Sequence, residues 1–256
     1  MPDIDPQVTA AVAAHKAGRY ADALALLQQL FARAEAQQDP GPSPYFMAMF
    51  GLQQLLPVYP PAHAAVRALR DTQVAHLLDG RTSFGAPFNA GYPVCKERFS
   101  VIVELNDLLG DTQSTCALFA EIDARDPAVA RRHATRAMPA LVAQGAWALA
   151  DRFQEDPLRW VAEVNELART FPLLPPPGVA PRLGATLTGV VSEVHLRAAV
   201  LAGLGDAHGA AALRAALLDG IEDAQLCDMA RRELDEPGTI TREVVAHQMT
   251  QAPGIL

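Results

Sequence analysis

The chain has 256 residues, half of them apolar but only 6% aromatic, with 29 acidic against 21 basic side chains for a formal charge of −8. It is long enough to bury a sizeable core, and an apolar fraction supplied mainly by Ala and Leu suits closely packed helices. No basic cluster exceeds Arg131-Arg132 with Arg136 and the Arg231-Arg232 pair, which excludes the basic stripe of a nucleic-acid footprint.

Asp5-Pro6 is a helix start, an N-cap acceptor followed by proline at the first helical position, and Gly18 is a stop. A second helix from Tyr20 to Gln37 carries Leu24, Leu27, Leu30 and Phe31 at the spacing of a buried stripe, so the two form a hairpin. Asp39-Pro-Gly-Pro-Ser-Pro44 breaks the chain, with Ser43 as a cap. The helix that follows ends near Leu56-Pro57, and another runs from Pro60-Pro61 to Leu78 before Gly80.

From Arg81 to Pro93 the pattern fails: Arg-Thr-Ser-Phe-Gly-Ala-Pro-Phe-Asn-Ala-Gly-Tyr-Pro has aromatics, glycine and proline but no period. Helical spacing returns from Val94, with Ile102, Leu105 and Leu109 on one stripe, and Gly110-Asp111 turns. The next helix holds Phe119 and Ile122, Asp126-Pro127 caps the one after, and that helix reaches Gln144-Gly145. Its partner starts at Trp147 and ends at Asp156-Pro157, where a further helix runs to Arg169.

A second irregular stretch, Phe171-Pro-Leu-Leu-Pro-Pro-Pro-Gly-Val-Ala-Pro181, has three consecutive prolines and favours extended polyproline conformation. A long helix then reaches Gly205, with Leu187, Val190, Val191, Val194, Ala198 and Leu201 on one stripe, before a last hairpin and a short helix after Gly238-Thr239. No strand is predicted. The fold class is all-α, with about 11 to 13 helices as stacked antiparallel hairpins and two long irregular loops. One continuous domain over 1–256 is expected, with 1–80 and 94–256 as sub-units if the first loop divides it.

The turns at Gly18, Gly110, Gly145 and Gly205 share small residues at nearly fixed offsets. Gly18 with Tyr20 and Ala23, and Gly145 with Trp147 and Ala150, resemble the inter-helix turn of the tetratricopeptide repeat. Gly110, Phe119 and Asp126-Pro127 keep part of that pattern but place Thr112 and Thr115 at the aromatic and alanine positions; Gly205 keeps Ala210 with Ala207 in place of the aromatic. Gly110 and Gly145 stand close to the ~34-residue period of that family. The resemblance covers about half the chain and implies a superhelical α-solenoid of degenerate repeats whose concave face binds a peptide or protein segment.

Motifs for chemistry are missing. There is no H-E-x-x-H, no Walker-type phosphate loop, no G-x-G-x-x-G and no G-x-S-x-G. The seven histidines are scattered, and Glu193 and His195, two apart on a helix, point in different directions. Glu193 and Arg197 have the spacing of an i,i+4 ion pair. Cys95, Cys116 and Cys227 form no C-x-x-C, so neither a disulfide framework nor a zinc site is indicated. Cys95 sits beside Lys96 and Arg98, surroundings of the kind expected to lower a thiol pKa.

Only Lys16 and Lys96 are lysines, which with the alanine excess suggests a GC-rich bacterial genome. The first residues lack the pattern of a secretory signal, and the apolar stretch 183–204 is interrupted by Glu193, His195 and Arg197. A cytoplasmic protein with no membrane partner, no cofactor and no bound metal is expected.

The expected role is non-enzymatic binding of a protein or peptide. Phe88, Tyr92 and Arg98 in the first irregular segment and Leu174 and Arg182 in the second are the contact candidates, with Leu173 beside them; Phe84 is placed under the loop as packing. An adaptor or immunity protein that neutralises a basic effector fits the acidic charge, although such charge also serves solubility alone. A small-ligand or catalytic pocket at residues 81–98 is the rival expectation, and the sequence leaves the oligomeric state open.

Overall fold

In the computed structural model, residues 5–37, 44–85 and 96–251 are described. Thirteen α-helices lie among them: α1 (Pro6–Lys16), α2 (Tyr20–Ala36), α3 (Tyr45–Leu55), α4 (Pro61–Leu78), α5 (Arg98–Leu109), α6 (Thr112–Arg125), α7 (Pro127–Ala143), α8 (Trp147–Asp151), α9 (Val161–Ala168), α10 (Arg182–Gly203), α11 (Ala207–Gly220), α12 (Ala224–Asp235) and α13 (Thr239–Gln251). A 3-10 turn, Pro157–Trp160, precedes α9. The only strands among the described residues are β1 (Ser83–Phe84) and β2 (Lys96–Glu97), an antiparallel pair with Ser83 opposite Glu97 and Phe84 opposite Lys96. The fold is all-α apart from this ribbon.

The local rules account for most boundaries. Aspartates cap one helix after another: Asp5 accepts from the Gln7 N–H at 2.9 Å, Asp111 from Ser114 at 3.0 Å, Asp126 from Ala128 at 2.9 Å, Asp206 from Gly209 at 2.8 Å and Asp223 from Gln225 at 2.8 Å. Each accepts from a backbone N–H left open in the first helical turn and stabilises its helix by ~1 kcal/mol. The four turn glycines, Gly18, Gly110, Gly145 and Gly205, all have positive φ, between 66° and 91°, the left-handed conformation that side chains disfavour.

Three expectations are corrected. The helix expected from Val94 starts only at Arg98, because Lys96 and Glu97 pair with β1; a two-residue strand is too short to carry a period in sequence. The helix expected from Pro157 opens as the 3-10 turn and becomes α9 only at Val161. The helix expected from Trp147 to Asp156 is the five-residue α8, which ends at Asp151. Ser43, expected as a cap, lies outside the described residues.

The chain divides into two compact units, Met1–Ala140 and Leu141–Leu256. The division is not at the first irregular stretch, because β1 and β2 hold its two ends together inside the first unit. It falls within α7, next to Pro139, which lacks the N–H of a regular helical bond.

In the first unit each helix from α1 to α6 packs on the next one in sequence, and α1 also meets α3. The core gathers Leu27, Leu30, Phe31, Leu52, Leu55, Val101 and Leu105. Phe84 from β1 sits 5.1 Å from the Phe31 ring and 5.3 Å from Tyr45, so it is packing, as its place beneath the loop implied.

The second unit is arranged around one helix. α10 packs against α8, the 3-10 turn, α9, α11, α12 and α13, whereas a solenoid repeat touches only its neighbours. Leu187, Val190, Val191 and Val194 are buried with Leu217, Leu226, Met229 and Ile240. Gly203 lets the Trp147 ring lie directly on the α10 backbone, in space where a Cβ would stand. Among the described helices α10 alone is long and apolar enough to cross a membrane; here its apolar stripe forms the core of the unit. The expected Glu193–Arg197 pair is not made: Arg197 bonds Asp151, and Glu193 lies 3.4 Å from Arg159.

Candidate functional site

The ends of the first irregular segment are closed by Arg98, the first residue of α5. Its Nε donates to the Arg81 carbonyl at 2.7 Å and its Nη2 to the Ser83 carbonyl at 2.6 Å. Nη1 donates to Glu35 Oε1 at 2.5 Å and to the Gln73 side chain. Gln73 in turn donates to Glu35 Oε2 at 2.9 Å, and His76 Nδ1 lies 2.9 Å from Glu35 Oε1. Burial works to raise the Glu35 pKa, but the hydrogen bonds from Arg98, Gln73 and His76 overcome it and hold the carboxyl below its usual range.

Arg98 is therefore not a contact for a partner. It is 4% exposed, and its donors are spent on α2, α4 and the strand ribbon. Arg98 is a clamp within the first unit. Beside it, Glu104 accepts from the Tyr45 hydroxyl at 2.6 Å and from Lys96 Nζ at 2.9 Å. Burial and the Glu104 charge push the Tyr45 hydroxyl pKa far up. Phe88, Tyr92 and Cys95 lie outside the described residues.

The second irregular segment lies in the second unit and is packed down. Leu173 is buried, and Leu174 is half-buried against the same core. The Gln248 amide of α13 donates to the Val179 carbonyl at 3.2 Å. Leu174 is thus a core residue first. Arg182 is exposed with its guanidinium 5.5 Å from the Phe171 ring, so it is the one exposed contact candidate among the described residues.

An apolar cleft lies elsewhere, on the face made by α1 and α3 over α2. An open cleft of about 190 Å³ is lined by Val8, Ala11, Val12, His15 and Lys16 of α1, Leu27 and Leu30 of α2, and Met47, Phe50, Gly51 and Gln54 of α3. Gly51 brings α3 against the Leu27 side chain, since a Cβ there would overlap it. Beside the cleft stands Phe46, 68% exposed, with its ring stacked 6.3 Å from that of Phe50. Phe50 and Val12 are also exposed.

The lining has no Asp or Glu, and α3 has no charged residue at all. The Nε2 of His15, next to Tyr20, is buried with no hydrogen-bond partner among the described residues. One signal for this face was present in the sequence: Tyr45-Phe46-Met47-Ala48-Met49-Phe50 is apolar all round. A helix with that pattern is either enclosed or turned toward a partner.

Comparison with protein-family models, with curated proteins and with solved structures found no match for this chain. The site is therefore read on its own chemistry. Among the described residues no group of three or more His, Cys, Asp or Glu side chains is placed to hold a metal ion. Cys116 and Cys227 are unpaired and half-buried, and burial raises the Cys116 thiol pKa. His195 is exposed on α10. Polar groups converge at Glu35, Gln73, His76 and Arg98, where their hydrogen bonds are made to each other and to backbone.

Proposed function

We propose that this chain is a non-enzymatic helical scaffold that binds an apolar segment of a protein through the α1–α3 face. The observation that carries the reading is the exposed cluster of Val12, Phe46 and Phe50 around a cleft whose lining has no carboxylate. Contiguous apolar surface of this kind marks interaction sites on soluble domains, and aromatic anchors dominate the energetics of such sites. Sequential packing of α1 through α6 supports a short, degenerate stack of tetratricopeptide-like hairpins in the first unit. The second unit, centred on α10, is read as a separate helical module.

The test is co-purification of the full chain with its partners, beside Val12→Glu and Phe46→Glu variants. Loss of a partner in both variants, with α1 and α3 protected from hydrogen exchange in the complex, supports the reading. Turnover of a small molecule by the purified chain, without any protein partner, overturns it. A second reading, capture of a basic effector, draws on the second unit, where 15 acidic side chains face only nine basic ones. Binding that weakens steeply with salt is its expected mark.

A further inference from the structure

We infer that the partner seated on the α1–α3 face is a second copy of this chain. The inference rests on the reading of that face as a protein-binding surface and names its occupant. Two observations point to self-association. The face carries both halves of a complementary contact: Phe46, 68% exposed and outside the cleft lining, is a knob, and the cleft of about 190 Å³ beside it is a hole.

The sizes agree, since an apolar cavity of ~150 Å³ admits a benzene ring. A twofold axis sets a patch against itself, so a patch with a knob and a hole offers each copy's knob to the other's hole. No hole elsewhere is required.

The second observation is charge. A copy of this chain approaches with a formal charge of −8, and like charges across an interface repel. The cleft lining contains no carboxylate, α3 contains no charged side chain, and Lys16 is the lining's one permanent charge. Asp5, at the start of α1, is paired with Arg33. Two acidic molecules therefore meet on this face without setting carboxylate against carboxylate.

Sedimentation equilibrium of the full chain, from nanomolar to hundreds of micromolar, tests the inference. A species of twice the 27.3 kDa chain mass is expected. Phe46→Glu and Val12→Glu should each weaken the dimer at least about thirtyfold, as loss of a central anchor does. Because both residues are exposed, helical circular dichroism should stay unchanged in each variant. Met249→Glu, at a 61% exposed position on α13, should leave the dimer intact.

Added sodium chloride should not weaken the dimer, because the interface sets apolar groups against each other and salt screens the repulsion between two acidic copies. A monomer at every concentration overturns the inference, and so does a dimer that survives Phe46→Glu. A monomer that still loses a different protein partner on Phe46→Glu overturns the dimer while the binding face stands. A monomer whose partners are unaffected by that substitution removes both.

Discussion

Replacing Arg98 with methionine keeps most of the side-chain volume and deletes the guanidinium. In the structure the side chain is 5% exposed, and its guanidinium serves Glu35, Gln73 and the carbonyl oxygens of Arg81 and Ser83. Its loss strands a carboxylate and two carbonyl acceptors. Breaking a buried ion pair from one side costs ~3–5 kcal/mol. Glu35 is 24% exposed and keeps Gln73 and His76, so the lower end applies and Arg98→Met is expected to cost ~3 kcal/mol.

That is a large fraction of the ~5–15 kcal/mol that holds a typical domain folded. The aromatic residues provide separate reporters for the two units: Tyr20, Tyr45, Tyr59 and Tyr92 all precede residue 141, and Trp147 and Trp160 both follow it. Urea unfolding followed in the tyrosine band of near-ultraviolet circular dichroism reports the first unit, with each band fitted alone. Adding Glu35→Gln to Arg98→Met should recover part of the loss, because the stranded carboxylate is then neutral. A loss below ~1 kcal/mol in the tyrosine transition would refute the clamp, since an exposed pair contributes no more than that.

His133 is buried with its ring stacked 4.7 Å from Phe99, and burial lowers its pKa despite Glu97 at 3.4 Å. The unfolded chain then binds a proton more readily than the folded one, so stability should fall as pH drops below about 6.5; His133→Leu should flatten that slope in urea midpoints measured across pH. Gly203→Ala places a methyl group where the Trp147 ring lies. The overlap should outweigh the helix-propensity gain and cost ~1–2 kcal/mol, with a changed tryptophan emission as its mark.

Glu233 is buried and accepts from the Gly238 and Ile240 N–H groups at 2.8 Å each, capping α13 from α12. Glu233→Ala should cost ~2–3 kcal/mol in the tryptophan-monitored transition; no change there would show that water replaces the carboxylate without loss.

What was readable in sequence was what depends on neighbours along the chain. Asp5, Asp126 and Asp156 announce helix starts because a carboxylate reaches an N–H two or three residues on. Leu187, Val190 and Val194 show their buried stripe by helical spacing alone. Candidate contacts fared differently, because exposure is not a local property. Arg98 looked like an arginine in a loop, and only residues 25 and 63 positions away, Gln73 and Glu35, turn it inward.

The α1–α3 cleft is the converse case, since Val12 and Phe50 belong to separate helices and line one cleft only in the packed unit. The division of the chain has the same origin. The irregular stretch at 81–93 looked like a joint, and the pairing of Phe84 with Lys96 closes it within one unit.

By itself the amino-acid order determined the helical class, the glycine turns and the aspartate caps, because those rest on backbone conformation and hydrogen bonds spanning a few residues. Tertiary structure decided the two units, the central place of α10, the inward turn of Arg98 and the exposed Phe46 beside its cleft. Those features are set by which distant surfaces remove each other from water, and that is settled only when the helices pack.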